Sequence, residues 1–88
     1  MNIRDRLQKQ NPDAELLFMS EEEYDKAILR VTNRTDKVSG IKTKAVVYDT
    51  QKVIEVNMSM SMTYEDAVEW FSFNQEGAYV GPNTPIFV

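Results

Sequence analysis

With 88 residues, the chain has room for one domain around a small core, because a chain of this size buries only about 60–65% of its unfolded surface. The 42% of apolar and 27% of charged residues are typical of a folded globular protein and exclude an intrinsically disordered one. The absence of Cys and His excludes disulfides, thiolate zinc sites and the most common general base at neutral pH, and the net charge of −4 argues against binding to a phosphate backbone.

The negative charge is concentrated in the second half of the chain. Residues 1–44 carry nine Lys and Arg against eight Asp and Glu, whereas residues 45–88 carry one Lys against six Asp and Glu. This half could face a basic partner surface, although solubility explains the same charge. The sequence shows no signal-peptide pattern and no apolar stretch of membrane-spanning length, and it lacks Cys. We therefore expect a cytoplasmic protein that binds neither membranes nor, directly, nucleic acid.

The first part of the chain predicts a short helix and then a strand. Ile3 and Leu7 have the i,i+4 spacing of a short amphipathic helix, in a segment, residues 1–12, that is either flexible or docks onto the rest of the protein. Pro12 ends this helix. The apolar run at residues 15–19 indicates a buried strand, although it could also be the first turn of a helix that starts at Pro12.

The next residues predict a helical turn that leads into a β-hairpin. The sequence SEEE that starts at Ser20 is a capping-box pattern, and the helix it begins gives way to a strand near residues 28–32. Residues 33–40 have the composition of a loop, in which Gly40 can take a positive φ. Residues 42–48 alternate and then become continuously apolar, which is typical of a central strand.

The segment after this strand fits two patterns. A helix near residues 50–58, capped by Asp49 or Thr50, turns two apolar side chains inward. Residues 56–62 instead alternate between apolar and polar types as a strand does. We favour the helix, followed by an irregular Met-rich connector, because a strand would leave the apolar pair Val53-Ile54 without a regular place.

The last part predicts a helix, a corner and a short strand. Thr63 opens a near-capping-box pattern for a helix near residues 63–75, and Gly77 is a suitable left-handed residue at its end. The predicted inward stripe of this helix is Tyr64, Ala67, Val68 and Phe71. Residues 85–88 form a short apolar strand or a docked tail. Together these elements predict one α+β domain, residues 1–88, with a small sheet packed against helices.

The C-terminal half also resembles a known group of proteins. The order VVYD, KVIE, MTYEDAVEWFSFN and GAYVGPNTPIFV is similar to a family of small, largely uncharacterised proteins of tailed bacteriophages and prophages, whose C-terminal pattern is MTxEEAxEΦFxFNxxGAYVGxxTPΦFΦ, with Φ apolar. The resemblance covers residues 45–88. This chain departs from the pattern at residues 58–61, where the family tends to carry charged residues and a Gly. The resemblance implies a phage or prophage origin, hence the cytoplasm of a bacterial host, and no activity.

Catalytic, metal and cofactor sites have little support in the sequence. Ser59, Ser61 and Thr63 could be nucleophiles only with a neighbouring base, and without His only a Lys such as Lys52 is left. The acids Glu65, Asp66 and Glu69 fit a solvated helix face better than a Mg²⁺ site, which needs more oxygen ligands in a concave place. We predict no catalytic residue, no cofactor and no metal.

The residues that stand out are aromatic and acidic side chains of the C-terminal half. Aromatic residues dominate the energetics of protein interfaces, and Met adapts to irregular apolar partners. The simplest explanation is that these aromatics and the Met run at 58, 60 and 62 form the core, but any exposed subset would mark an interaction surface. The interaction candidates are Trp70, Phe73, Tyr79, Glu65 and Glu69.

Three functions remain open at this stage. The leading hypothesis is a non-enzymatic interaction module, a small phage or prophage accessory protein that binds a host or phage protein and could inhibit it. The alternative is a structural, self-associating protein, a homodimer formed through Ile3 and Leu7 or through the edge around Trp70. The third is a small-ligand binder or enzyme that uses Glu65, Glu69 and Tyr79, which requires an enclosed polar pocket.

Overall fold

The chain adopts an α+β fold, as the sequence predicts, in a computed structural model that describes residues 2–88. Met1, the first residue of the predicted N-terminal segment 1–12, lies outside the described residues. In chain order the elements are α1 (Ile3–Gln10), a 3₁₀ helix (Glu22–Ala27), β1 (Ile28–Thr35), β2 (Lys42–Tyr48), α2 (Thr50–Ser59), α3 (Tyr64–Trp70), a π-helical segment (Phe71–Glu76) and β3 (Ile86–Phe87). No helix within residues 2–88 is long and apolar enough to cross a membrane.

The sheet has three strands in the order β1-β2-β3. β1 and β2 form an antiparallel hairpin in which Val31 lies opposite Val46, and β3 pairs in parallel with the end of β2. The continuous apolar run at residues 45–48 predicts a central strand, and all four of its side chains are buried. The hairpin loop turns at Gly40, which has a φ of 75°, a value that glycine adopts without steric cost.

Local sequence signals place α2 and α3 correctly. The Asp49 carboxylate accepts a hydrogen bond from the Lys52 amide at 3.0 Å, and the Thr63 hydroxyl accepts one from the Asp66 amide at 3.2 Å. Each of these N-caps satisfies a backbone donor that the helix leaves free. α2 continues to Ser59 and residues 60–61 form a turn, so the helical interpretation of residues 50–58 is confirmed and the strand alternative is wrong.

Two predictions for the segment that follows α1 are wrong. Residues 15–19 form no strand. The Leu16 amide donates to Gln8 Oε1 and the Met19 amide to the Tyr48 hydroxyl, so side chains accept the hydrogen bonds that the carbonyls of a neighbouring strand would otherwise accept. The Ser20 capping box does not form either, and the helical turn begins two residues later. The Arg4 guanidinium donates to the Met19 and Glu21 carbonyls, on either side of Ser20, and so fixes the bend of the chain at residues 20–21.

Two further corrections concern the C-terminal part. Gly77 has a φ of −82° and is therefore not a left-handed cap, because the chain leaves the helix through the wider π-helical turn and makes its positive-φ bend at Gly81. Tyr64, predicted to face inward, is exposed. It lies in the first turn of α3 and is not among the side chains that pack against the core, which Ala67, Val68 and Phe71 already contact.

The core lies between the sheet, α2 and α3, and the N-terminal segment covers one of its edges. The buried core side chains are Ala14, Leu16, Tyr24, Ala27, Val46, Tyr48, Val53, Ile54, Val56, Ala67 and Phe71. α1 is held there by Arg4, whose Nε donates to both carboxylate oxygens of Asp25 at 2.8 and 3.1 Å, and by Leu7, which packs against the core. α3 and the π-helical segment pack one side against this core through Ala67 and Phe71, whereas their other side is exposed at Phe73.

Candidate functional site

The side of α3 and the π-helical segment that faces away from the core carries most of the predicted interaction residues. Glu65, Glu69 and Phe73 follow one another at i,i+4 spacing, so they lie in one row along the helix. Phe73 is 77% exposed and Trp70 is 47% exposed. We call this face the outer aromatic surface and define it by Tyr64, Glu65, Glu69, Trp70 and Phe73.

Two open grooves run along the outer aromatic surface. One has a volume of about 470 Å³ and is lined by Tyr64, Glu65, Glu69 and Phe73, among others. The other, about 310 Å³, lies between Glu69, Phe73 and Trp70. Neither Glu65 nor Glu69 takes part in an ion pair or a side-chain hydrogen bond within residues 2–88. Both carboxylates are therefore available to a partner.

The opposite side of the same helical segment is tightly fixed. Ala67 is fully buried, and Phe71 is 4% exposed with its ring edge-on to the Phe87 ring at 5.1 Å between centroids. Such an edge-to-face pair adds roughly 0.5–1.5 kcal/mol to the energy of burial. The packing of Ala67 and Phe71 thus fixes the backbone from which Trp70 and Phe73 project.

A buried polar network fixes the end of the segment as well. Gln75 Nε2 donates to the Tyr24 hydroxyl at 2.9 Å, the Tyr24 hydroxyl donates to Asn57 Oδ1, and Asn57 Nδ2 donates to Gln75 Oε1 at 2.9 Å and to the Ala67 carbonyl at 3.2 Å. Burial raises the pKa of Tyr24, which keeps its hydroxyl proton on the oxygen for donation to Asn57. No buried side-chain nitrogen or oxygen in the described chain lacks a partner.

Tyr79 is not part of the outer aromatic surface, although the sequence groups it with Trp70 and Phe73. Its hydroxyl donates to Asp36 Oδ2 at 2.8 Å, which ties the C-terminal corner to the β1–β2 loop. Tyr79 does not line the two grooves of that surface, and its neighbours Ala78 and Val80 line a separate cleft, described below, that also includes Trp70. Tyr79 is 50% exposed, but its hydroxyl is engaged in the hydrogen bond that joins the corner to the loop.

The carboxylate that receives this hydrogen bond is itself buried. Burial alone would raise the pKa of Asp36, but hydrogen bonds from the Ser39 amide and hydroxyl and from Tyr79, with the charge of Arg34, outweigh it and hold the pKa below its usual value. The hydrogen bond to this carboxylate in turn raises the pKa of Tyr79. Asp36 and Tyr79 therefore form a charge-assisted contact at neutral pH.

The sequence does not predict a third concave feature, a cleft of about 370 Å³ between residues 18–21 and the π-helical segment. Its apolar walls are Phe18, Met19, Met60, Met62, Trp70 and Phe87, and we call it the Met-lined cleft. The Met run around residue 60 was a signal for it. The opposite wall could not be anticipated, because it comes from a segment that looked like a buried strand.

The structure also places one candidate nucleophile and the acidic side chains. The Ser59 hydroxyl, one of the candidate nucleophiles, donates its hydrogen to the Val56 carbonyl at 2.6 Å. Among residues 2–88, no group of three or more acidic side chains is placed so that it could hold a metal ion. No model of a known protein family matches the chain, and neither a curated protein nor a solved structure matches it.

Proposed function

We propose that this chain is a non-enzymatic protein-interaction module that binds its partner through the outer aromatic surface. The observation that supports the proposal best is the exposure of Phe73, at 77%, beside Trp70, at 47%, on a helical segment whose other side is locked into the core. Large aromatic side chains on a rigid backbone are typical anchors of interfaces, because they bury much area and lose little conformational freedom. Neither ring is needed to fill the core.

The charge of this surface indicates the kind of partner. Glu65 and Glu69 flank the aromatic rings, and residues 45–88 carry a single Lys. A partner surface with Lys or Arg around an apolar centre would complement this arrangement and would be steered towards it over a distance of about 10 Å at moderate salt.

The resemblance to small proteins of tailed bacteriophages and prophages gives the biological setting that we propose. In this setting the protein is a phage or prophage accessory protein that acts in the cytoplasm of the bacterial host. Its partner is a host protein or another phage protein. The proposal includes both a host-directed inhibitor and a module that binds within a phage assembly.

The test is affinity capture from a bacterial lysate with matched variants. We expect the wild-type chain to enrich a specific protein and Phe73→Ser to lose it. Val38→Ser is the control, because Val38 is equally exposed, at 76%, but lies in the β1–β2 loop. Circular dichroism of each variant confirms that the fold is intact. An empty capture with folded wild-type protein, or the same captured protein with Phe73→Ser, would overturn the proposal.

Analytical ultracentrifugation of the same proteins separates this function from self-association. We expect a monomer, because the outer aromatic surface is proposed to serve a different protein. A wild-type dimer that Phe73→Ser dissociates and Val38→Ser does not would show instead that the surface joins two copies of this chain, and the structural alternative would replace the proposal.

A further inference from the structure

We infer that the Met-lined cleft binds a basic amphipathic segment of the partner protein, with an apolar side chain inside the cleft and Lys or Arg on either side of it. The inference rests on the proposed function, since it names the partner chemistry of an adjoining site. The lining of the cleft shares only Trp70 with the outer aromatic surface. Variants outside this shared residue can therefore make the two fail separately.

The shape and lining of the cleft suit an apolar anchor. Its volume of about 370 Å³ lies at the lower end of the roughly 300–1,000 Å³ of ligand pockets, which is room for one large side chain and part of a neighbour. Met19, Met60 and Met62 contribute unbranched thioether chains, which adapt to apolar groups of different shapes. Tyr24 and Gln75 also line the cleft, and both already have hydrogen-bond partners. An apolar group can therefore cover these two side chains without leaving their polar atoms unpaired.

The charges around the cleft indicate which residues should flank the anchor. Among the described residues 2–88, Glu21 is the single charged residue of its lining. Met62, Trp70 and Asn74 are shared with the adjoining groove, which adds the acids Asp66 and Glu69 beyond Trp70. The apolar cleft thus has a carboxylate on one side, two more on the other, and no Lys or Arg in the lining of either.

One cation does lie near the cleft, but its charge is paired. Arg4 stacks over the Phe18 ring at 5.3 Å from the centroid, and its guanidinium binds the Asp25 carboxylate and the carbonyls of Met19 and Glu21. It fixes the wall of the cleft and does not neutralise Glu21. An apolar cleft between acids that form no ion pair within residues 2–88 is the complement of an amphipathic segment with a basic polar face.

Trp70 provides a direct measurement, because it is the single Trp of the chain and lies on the ridge between the cleft and the adjoining groove. The probe is a short synthetic peptide of Leu and Lys with Leu at helical spacing and no aromatic residue. We expect its titration to shift Trp70 emission to the blue, as the half-exposed indole becomes covered, and to show saturable binding that weakens as salt is added.

Two variants locate the binding. Ala78→Phe places a ring in the cleft from an exposed position and should weaken peptide binding about tenfold or more, which corresponds to the loss of one apolar anchor. Glu21→Lys should weaken it by about threefold, as expected for one rim charge. Glu15→Lys makes the same charge change at an exposed position outside the cleft and should bind like wild type.

The outcomes separate the inference from the proposed function. Equal binding of a Leu/Glu peptide, or unchanged binding to Ala78→Phe, would overturn the inference. If Phe73→Ser loses the captured lysate protein while Ala78→Phe retains it and the Leu/Lys peptide does not bind, the inference fails and the proposed function stands. If Ala78→Phe loses that protein while Phe73→Ser retains it, the outer aromatic surface fails and the cleft is the site.

Discussion

The inner and outer sides of residues 64–76 are built from similar side chains but have opposite surroundings. On the inner side, Ala67 and Phe71 are buried and Phe71 packs edge-on to Phe87. On the outer side, Phe73 is exposed and Trp70 is half-exposed, and both lie beside acidic side chains. Phe71 and Phe73 are only two positions apart, so their different surroundings come from their angle around the helix rather than from residue type. The fold buries one of the two rings and leaves the other exposed to solvent.

Polar groups show the same contrast. Gln75 on the inner side is held by Tyr24 and Asn57, residues that are distant in sequence. Glu65 and Glu69 on the outer side make no hydrogen bond or ion pair through their side chains within residues 2–88. The inner side is satisfied by the fold, whereas the outer side remains to be satisfied by water or by a partner.

The largest effect should come from the inner aromatic ring. We expect Phe71→Ala to lower the free energy of unfolding by about 3–5 kcal/mol, because it removes a buried ring and leaves a cavity. Urea denaturation followed by circular dichroism measures this change. Because the stability of so small a domain is itself only several kcal/mol, a substantial fraction of the Phe71→Ala protein should be unfolded even without urea. If Phe71→Ala lowers the free energy of unfolding no more than Phe73→Ala does, the Phe71 ring does not anchor residues 64–76 to the core.

The buried polar network should have the next largest effect. Asn57→Ala removes the acceptor for Tyr24 and the donor to Gln75 and to the Ala67 carbonyl. We expect a loss of about 1–3 kcal/mol, because the remaining polar groups are left buried without partners. Asn74→Ala is the matched control at an exposed position in the same helical segment, and equal losses in the two variants would contradict a structural role of the network.

The contact between Asp36 and Tyr79 predicts a dependence on pH. The folded-state pKa of Asp36 is below its unfolded value of about 3.9, so its contribution to stability is complete above that pH and is lost as the pH falls through the folded pKa. Asp36→Asn should therefore lose stability at neutral pH and show a shallower decline in acid. Denaturation at pH 7 and below pH 4 measures both changes.

A second variant isolates the hydrogen bond. Tyr79→Phe removes one of the three donors to Asp36, so NMR titration of this carboxyl should give a higher pKa than in wild type. An unchanged pKa would mean that the Tyr79 hydroxyl does not help to hold the pKa of Asp36 below its usual value.

The smallest effect on stability should come from the outer ring. Phe73→Ala should change the free energy of unfolding by no more than about 0.5 kcal/mol, because its side chain is largely in solvent already. The same urea denaturation compares it directly with Phe71→Ala. A cost of several kcal/mol would show that Phe73 packs within the fold, and the distinction between the two sides of the segment would disappear.

Several elements were predictable from the sequence because their signals are local. The continuous apolar run at residues 45–48 predicts a buried strand, and the side-chain oxygens of Asp49 and Thr63 predict the starts of α2 and α3. Residues 15–19 have an equally apolar run but form no strand. The difference is that the amides of Leu16 and Met19 find side-chain acceptors on α1 and β2.

The candidate site was predictable only in part, because some of its features depend on contacts between residues that are distant in sequence. Trp70 and Phe73 stood out by type and by their position on the predicted helix, and the acids Glu65 and Glu69 by their spacing. Tyr79 looked similar to them, but a hydrogen bond to Asp36, 43 positions away, gives it another environment. The wall of the Met-lined cleft depends on Arg4, which donates hydrogen bonds to the Met19 and Glu21 carbonyls from a helix that lies 15 or more positions earlier in the chain.

By itself, the sequence determined the small size of the core, the acidic second half, the central strand, the caps of α2 and α3, and the abundance of aromatic residues near the C-terminus. Only the tertiary structure decided which aromatic rings are buried, where Gln75 and Tyr79 find their partners, and that a cleft lies beside Trp70. Backbone preferences and periodicity act over a few residues, whereas these contacts join residues up to 51 positions apart. No local pattern contains that information.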